Sequence, residues 1–435
     1  MEVPFESKNL FIKMFFIKLI SLNGIILGKR EEMRIPLKRY FLLAFLFEFI
    51  SISIFNADYK SQWKGNIEKE GEVRVIKNPN EPFYGEIILD LDEDLSIGNE
   101  NDENFSFFKA TKPSVDSDGN ILVLDKGNFR IQKFDKNGNY LQTIGHQGEG
   151  PGEFERPRYL YLDHQDNIYV GDGRHIDVFN KNGVFKISFK LNGFTYLLGI
   201  TKEGNILAQI NSRTTPTRET QEIVLISTEG KKIKTIVRFP FENPPLLRGC
   251  FYLSNPYTPC LYSCLLNEEF GVYGYSFEYR LFMFNSLGEI AYIIEKDERG
   301  EIFTRKERNE LLDRKMKELK QSRLGSKYSR NEVKSIYKFP KYKPFFRSIL
   351  KDNKDRIYVM RFKLLTKKDE IPVFDLFNKE GYYLYRIKIP LYKITLDQNS
   401  IKNGYVYTRE YDSITGYIQI KRYKIKNWEQ IKERI

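Results

Sequence analysis

From Ser114 to Gly145 the chain reads SVDSDGNILVLDKGNFRIQKFDKNGNYLQTIG, short apolar runs each closed by Asp, Asn and Gly. From Tyr161 to Phe189 the same grammar returns as YLDHQDNIYVGDGRHIDVFNKNGVFKISF. In register, Asp118-Gly119-Asn120-Ile121 falls on Gln165-Asp166-Asn167-Ile168, Asp125 on Asp172, Ile131 on Ile176, Phe134 on Phe179, and Asn137-Gly138 on Asn182-Gly183. Weaker copies continue to the C-terminus, among them YRLFMFNSLGEIAYII, ILKDNKDRIYVMRF, FDLFNKEGYYLYRIKI and GYIQIKRYKI. Apolar runs of this length predict strands, and the Asp/Asn/Gly clusters predict turns that accept positive φ and reverse the chain. Four strands per unit at roughly forty-residue spacing are the pattern of propeller blades. The expectation is an all-β chain, a six-bladed β-propeller of four-stranded antiparallel blades over residues 72–425. The segment YGEIILDLDEDLSI (Tyr84–Ile97) is expected to supply the outer strand of the last blade, so that the ring closes without an unpaired edge.

A helical period interrupts this pattern between the fourth and fifth blades, in residues 301–338. TRKERNELLDRKMKELKQSRLG begins with Thr304-x-x-Glu307, a capping box, and ends at Gly325. Leu312, Met316 and Leu319 form an apolar stripe at helical spacing, expected to face the propeller. Ser329 and Glu332 repeat the capping signal.

Composition agrees with the strand reading. Of 435 residues, 41% are hydrophobic and 15% aromatic, enough to bury a large core. The N-terminus reads differently. Met33–Ala57 has a basic start at Arg34, Lys38 and Arg39, then an apolar run, then small or polar residues, the layout of a secretory signal peptide. Residues 1–57 are therefore expected to be a leader with Met33 as initiator, the mature chain starting after about Ser53–Ala57 outside the cytoplasm. Glu48 inside the apolar run leaves an uncleaved membrane anchor as the alternative.

The stretch GHQGEGPGEF (Gly145–Phe154) invites comparison with a phosphate loop. Such a loop runs into a helix whose N-terminus holds the anion, and no helical pattern follows Phe154. Its place after one outer strand and before the next inner strand predicts a rim-to-hub crossing instead, with glycines where side chains would clash.

DSDGNILVLDKGNFRIQKFDKNGNYLQTIGHQGEGPGEFERP resembles the NHL-repeat propeller pattern. More narrowly, the chain resembles an exported bacterial family of six-bladed β-propellers, and KPFFRSILKDNKDRIYV (Lys343–Val359) resembles the start of that family's fifth blade. The resemblance implies the fold and leaves the activity open.

Candidate chemistry is sparse. NHL-type propellers include a zinc lyase, which needs several histidines converging at the hub. His146 is expected in the inter-blade loop, His164 in a turn and His175 just before a third strand, so they do not converge. Asp116, Asp125, Asp163 and Asp172 recur in register, as turn-capping aspartates do. No cofactor is predicted, and a carboxylate-held calcium ion is the one left open. Cys250, Cys260 and Cys264 match no standard zinc spacing, which leaves buried thiols or one disulfide.

Charge is concentrated. Residues 301–350 hold fifteen Lys and Arg against six Asp and Glu, nine of the net +12, and the leader holds a further three. The basic helix could attract an anionic partner through Lys317, Lys320 and Arg323, with Lys315 partly packed. Export and this local origin of the charge disfavour nucleic acid. The expected partner is a protein, peptide or glycan, recognised without catalysis by a monomeric ring with no membrane span in the mature chain. The competing class is a metal-dependent hydrolase or lyase at one end of the channel.

Overall fold

With the four strands of a blade lettered A to D from the channel to the rim, strand B of each regular blade, such as Ile121–Asp125, is apolar on both of its faces, and the reason is the architecture. A computed structural model describes residues 62–435 except 192–194, 216–217, 243–256, 322–327, 337–338, 364–370, 392–395, 397–399 and 413. Six small sheets follow one another along the chain: blade 1 (residues 114–144), blade 2 (159–190), blade 3 (195–242), blade 4 (261–296), blade 5 (346–388) and blade 6 (401–425). Each strand B lies between two neighbouring sheets. In Ile121–Asp125 of blade 1, Ile121 and Val123 pack with blade 6 while Leu122 and Leu124 pack with blade 2. In blade 5, Ile357 and Val359 face blade 4, and Tyr358 and Met360 face blade 6. Six such cores, one per pair of neighbours, run in a closed cycle.

A second repeating device sits at the turn between strands C and D. A register shift falls before it at Lys133/Phe134, Val178/Phe179, Met283/Phe284 and Leu376/Phe377. That bulge turns a phenylalanine into the core, and all four rings are buried. The turn glycine then docks on the preceding blade. Gly183 (φ +79°) would set a Cβ 2.7 Å from Ile144, and Gly381 (φ +92°) one 2.9 Å from Ile294. Both the left-handed conformation and the close approach require glycine.

The N-terminal strands wrap the rim of the last three blades. β1 (Asn66–Glu70) and β2 (Val73–Asn78) extend blade 4, β2 lying parallel to its outer strand Ile290–Lys296. β3 (Glu86–Ile88) adds a fifth strand to blade 5, parallel to Tyr383–Lys388. β4 (Leu91–Ile97) pairs antiparallel with Ile418–Ile425 and is the outer strand of blade 6. The Tyr84–Ile97 segment thus supplies the outer strand of the last blade as expected, while its first part, β3, joins blade 5 because the chain must step from one rim to the next. Buried Asn78, at the end of β2, fastens the earlier step from blade 4 to blade 5, donating to the Gly381 carbonyl (2.8 Å) and accepting from the Tyr383 amide (2.8 Å).

The insertion between blades 4 and 5 holds α1 (Arg305–Gln321) and α2 (Arg330–Ile336). Both capping boxes form. Thr304 and Ser329 each donate from backbone and hydroxyl to the carboxylate three residues on, and each hydroxyl accepts that residue's amide. The stripe does not face the propeller as expected. Leu312, Met316 and Leu319 pack with Val333 of α2 and with Tyr328 and Phe339, so the insertion has its own small core. Leu311, one position along, makes the inward contact with Phe303, Tyr257 and Phe362.

Candidate functional site

Strand direction alternates A, B, C, D in every blade, so all A–B turns gather at one end of the ring and the crossings between blades at the other. The helical insertion joins strand D of blade 4 to strand A of blade 5 and therefore belongs to the crossing end. The A–B turns of five blades meet around a pocket of about 270 Å³ at the other end.

The aspartates at this mouth cap their own turns. Asp116 accepts the amides of Asp118 (3.1 Å) and Asn120 (2.7 Å) and the Asn120 side-chain amide (2.8 Å). Asp163 repeats this with Gln165 and Asn167. Asp352 does so with Lys354 and Arg356, whose buried guanidinium replaces the asparagine amide at 2.7 Å. In the turns of blades 2 and 5 a second carboxylate reaches a neighbouring blade. Asp166 accepts from the Ser117 amide and hydroxyl, and Asp355 accepts from Asn267 (2.8 Å). Asp125 and Asp172, at the crossing end, are likewise engaged, Asp125 by Phe108, Asn128 and Arg130 and Asp172 by Arg174 and His175.

Two lysines in the pocket were missed by sequence reasoning. Lys351 closes the inner strand of blade 5 and Lys402 that of blade 6. Lys351 Nζ donates to the Leu266 carbonyl at 2.7 Å, and Lys402 Nζ to the carbonyls of Val115 (2.6 Å) and Asp116 (3.2 Å). Burial pulls both ammonium groups below the usual lysine range. Cys264, Asp355 and Asp352 oppose the shift at Lys351; Asp166 and Asp116 oppose it at Lys402, where Lys351 adds to it. One signal was available: Lys351 stands just before a capping aspartate, where blades 1 and 2 carry Val115 and Leu162.

A second charged cluster lies between blades 4 and 5. Fully buried Asp375 accepts from Lys296 Nζ (2.7 Å), Tyr279 (2.7 Å), Arg361 (3.0 Å) and Tyr383. Glu298 pairs with Lys296 and with both arms of Arg361. Arg386 also approaches Asp375 through Nε at 3.6 Å and reaches Glu86 through Nη1 at 3.4 Å, so the cluster continues outward to the N-terminal strand beside blade 5.

The three histidines stand apart, each beside a carboxylate: His146 with Glu153 (3.0 Å), His164 with Glu268 (3.1 Å) and His175 with Asp172 (3.2 Å). Among the described residues no group of three or more His, Cys, Asp and Glu could hold a metal ion. Cys260 and buried Cys264 are not joined to each other in a disulfide, and Cys250 lies outside the described residues. The Gly145–Phe154 loop is a crossing in which Gly145 leaves room for the ring of buried Phe154, 2.3 Å from where a Cβ would stand. On α1, Lys317 and Lys320 are exposed and unpaired among the described residues, while half-buried Lys315 pairs with Glu318 at 2.7 Å. Arg323 and residues 1–57 lie outside the described residues. No helix among those residues is long and apolar enough to cross a membrane.

Six sheets cored pairwise in a closed cycle, with every A–B turn at one end, define a six-bladed β-propeller. Residues 115–385 match DUF5128, a family described as a 6-bladed beta-propeller, and the chain belongs to that family. A search of curated proteins gives no match. Among solved structures the chain is similar to a candidate exported protein of Bacteroides fragilis (13% identity, TM-score 0.48, covering 81% of this chain and 99% of that one). It is also similar to a DUF4221 member from Bacteroides vulgatus (12% identity, TM-score 0.45, 78% and 98%). A third is virginiamycin B lyase from Staphylococcus aureus (9% identity, TM-score 0.34, 76% and 98%).

Proposed function

We propose that this NHL-type propeller is an exported recognition module that binds a protein, peptide or glycan at the cell envelope without transforming it. The observation that carries the reading is the engagement of the groups that general acid–base chemistry would need. Asp116, Asp163 and Asp352 hold their own turns, and each histidine sits beside its own carboxylate in a different part of the ring. At the crossing end, α1 offers Lys317 and Lys320 to an anionic partner, and Arg323, which follows in the sequence outside the described residues, is proposed to act with them.

Incubating the full chain with envelope peptides and glycans, followed by mass spectrometry of what is retained and what is released, tests this. Ligands recovered intact are the expected result. Turnover that a chelator abolishes would replace the reading with the metal-dependent hydrolase or lyase. N-terminal sequencing of the protein from the native envelope should show a start near Ser53–Ala57; an intact Met1 or Met33 would mean an anchor or a cytosolic protein.

A further inference from the structure

The two lysines of the channel mouth differ from every other buried cation described so far. Lys296, Arg356 and Arg361 each contact a carboxylate within 2.7–3.0 Å. Lys351 and Lys402 contact only backbone carbonyls, and among the described residues no carboxylate oxygen lies within 4 Å of either nitrogen. The acids around them are already used, Asp116 by Asn120 and Lys133, Asp352 by Arg356 and Tyr358, Glu268 by His164.

An ammonium group has three N–H donors. Lys351 uses one and Lys402 two, so donors remain on both, in one pocket, on neighbouring blades. Asp163, Asp166, Glu268, Asp352 and Asp355 line the same pocket and balance these charges at longer range, but none touches either nitrogen, so an anionic group that reached both would supply the direct contact each half-buried ammonium lacks. The carbonyls of Leu266, Val115 and Asp116 fix both nitrogens in advance, which lowers the ordering cost of binding. The rim supplies acceptors that an anion alone would not use. Asp166 and Asp355 line the same pocket with carboxylate lone pairs left over after their bonds from Ser117 and Asn267, and these suit hydroxyl donors. A volume of about 270 Å³ falls just under the usual range for small-molecule pockets, roughly 300–1,000 Å³, and fits one compact unit.

We infer that the channel mouth binds a small acidic sugar, its carboxylate or phosphate held between Lys351 and Lys402 and its hydroxyls on the rim carboxylates. The site lies at the opposite end of the ring from the insertion, and it stands whether or not α1 binds a partner.

Calorimetric titration of the full chain with glucuronate, glucose 6-phosphate and glucose tests it. At least one of the two acids should bind, the pair distinguishing carboxylate from phosphate, and glucose should bind at least about tenfold more weakly. Lys351→Met and Lys402→Met should each weaken the acid by about tenfold or more, as loss of a hydrogen bond to a charged group does. Failure of both acids to bind, or binding that neither substitution weakens, would overturn the inference. Should a variant misfold, the wild-type chain still decides. Amine acetylation at Lys351 and Lys402, read by mass spectrometry, should slow several-fold with the acid and not with glucose. Equal labelling under both conditions would overturn it as well.

Discussion

Blades 1 and 2 and blades 4 and 5 solve the same problem by different means. In blades 1 and 2 the repeat is nearly intact, each sheet has four strands, and each A–B turn carries a capping aspartate with an asparagine four residues on. The joint between these blades is an apolar core with light polar stitching, such as Ser117 to Asp166 and Lys133 to the Lys181 carbonyl. In blades 4 and 5 the repeat has eroded. Asn267 replaces the capping aspartate in blade 4, and Arg356 takes the asparagine position in blade 5, stacking 4.2 Å over Trp428. These blades are instead held by contacts distant in sequence: β2, β3, Asn78 and the Asp375 cluster. Local order and long-range clasping substitute for one another around one ring.

The largest effect should come from removing the clasp. Deleting residues 84–97 takes away β3 and β4, exposing the edges of blades 5 and 6 together. The deleted chain should aggregate or melt far below the parent; an unchanged melting temperature would mean that the ring closes without them. Next comes Asp375→Ala, which leaves buried Lys296 and part-buried Arg361 to share Glu298 as their one remaining acid and should cost about 3–5 kcal/mol in denaturant unfolding.

Acid should have the same target. Burial alone would raise the Asp375 carboxyl, but Lys296 and Arg361 outweigh it and hold the group below its ordinary value. A depressed folded-state pKa stabilises above the unfolded value, about 3.9, and the contribution fades as pH falls through the folded one. Asp375→Asn should therefore flatten the loss of melting temperature below about pH 4.

Asp163→Ala should be milder, about 1–3 kcal/mol, since Asp163 serves its own turn and takes part in no ion pair among the described residues. A cost equal to that of Asp375→Ala would erase the contrast between the two halves. The smallest effect on stability should be the reversal of Lys317, Lys320 and Arg323 to Glu, within about 0.5 kcal/mol per site, with weaker and less salt-sensitive binding of an acidic partner.

Much of this fold is legible in the sequence, because its determinants are local. Asp116-x-x-x-Asn120 makes its turn from five consecutive residues, and Thr304 and Glu307 cap α1 within one helical turn. Apolar runs such as ILVLD declare a strand buried on both faces before any neighbour is known. The stripe on α1 shows the limit of such reading: spacing showed that Leu312, Met316 and Leu319 share a face, but not that the face would meet Val333.

The candidate site lies beyond that limit. Lys351 and Lys402 are fifty-one residues apart, the Val115 carbonyl is far upstream of both, and no spacing relates them. By itself the sequence determined where the chain turns, which strands are buried and how many blades repeat, since each follows from steric and hydrogen-bonding preferences over a few residues. Only the tertiary structure decided which rim each N-terminal strand joins, which acids neutralise which bases and which two lysines are left to share a pocket. Those outcomes depend on distances across the ring, set when its six cores close together.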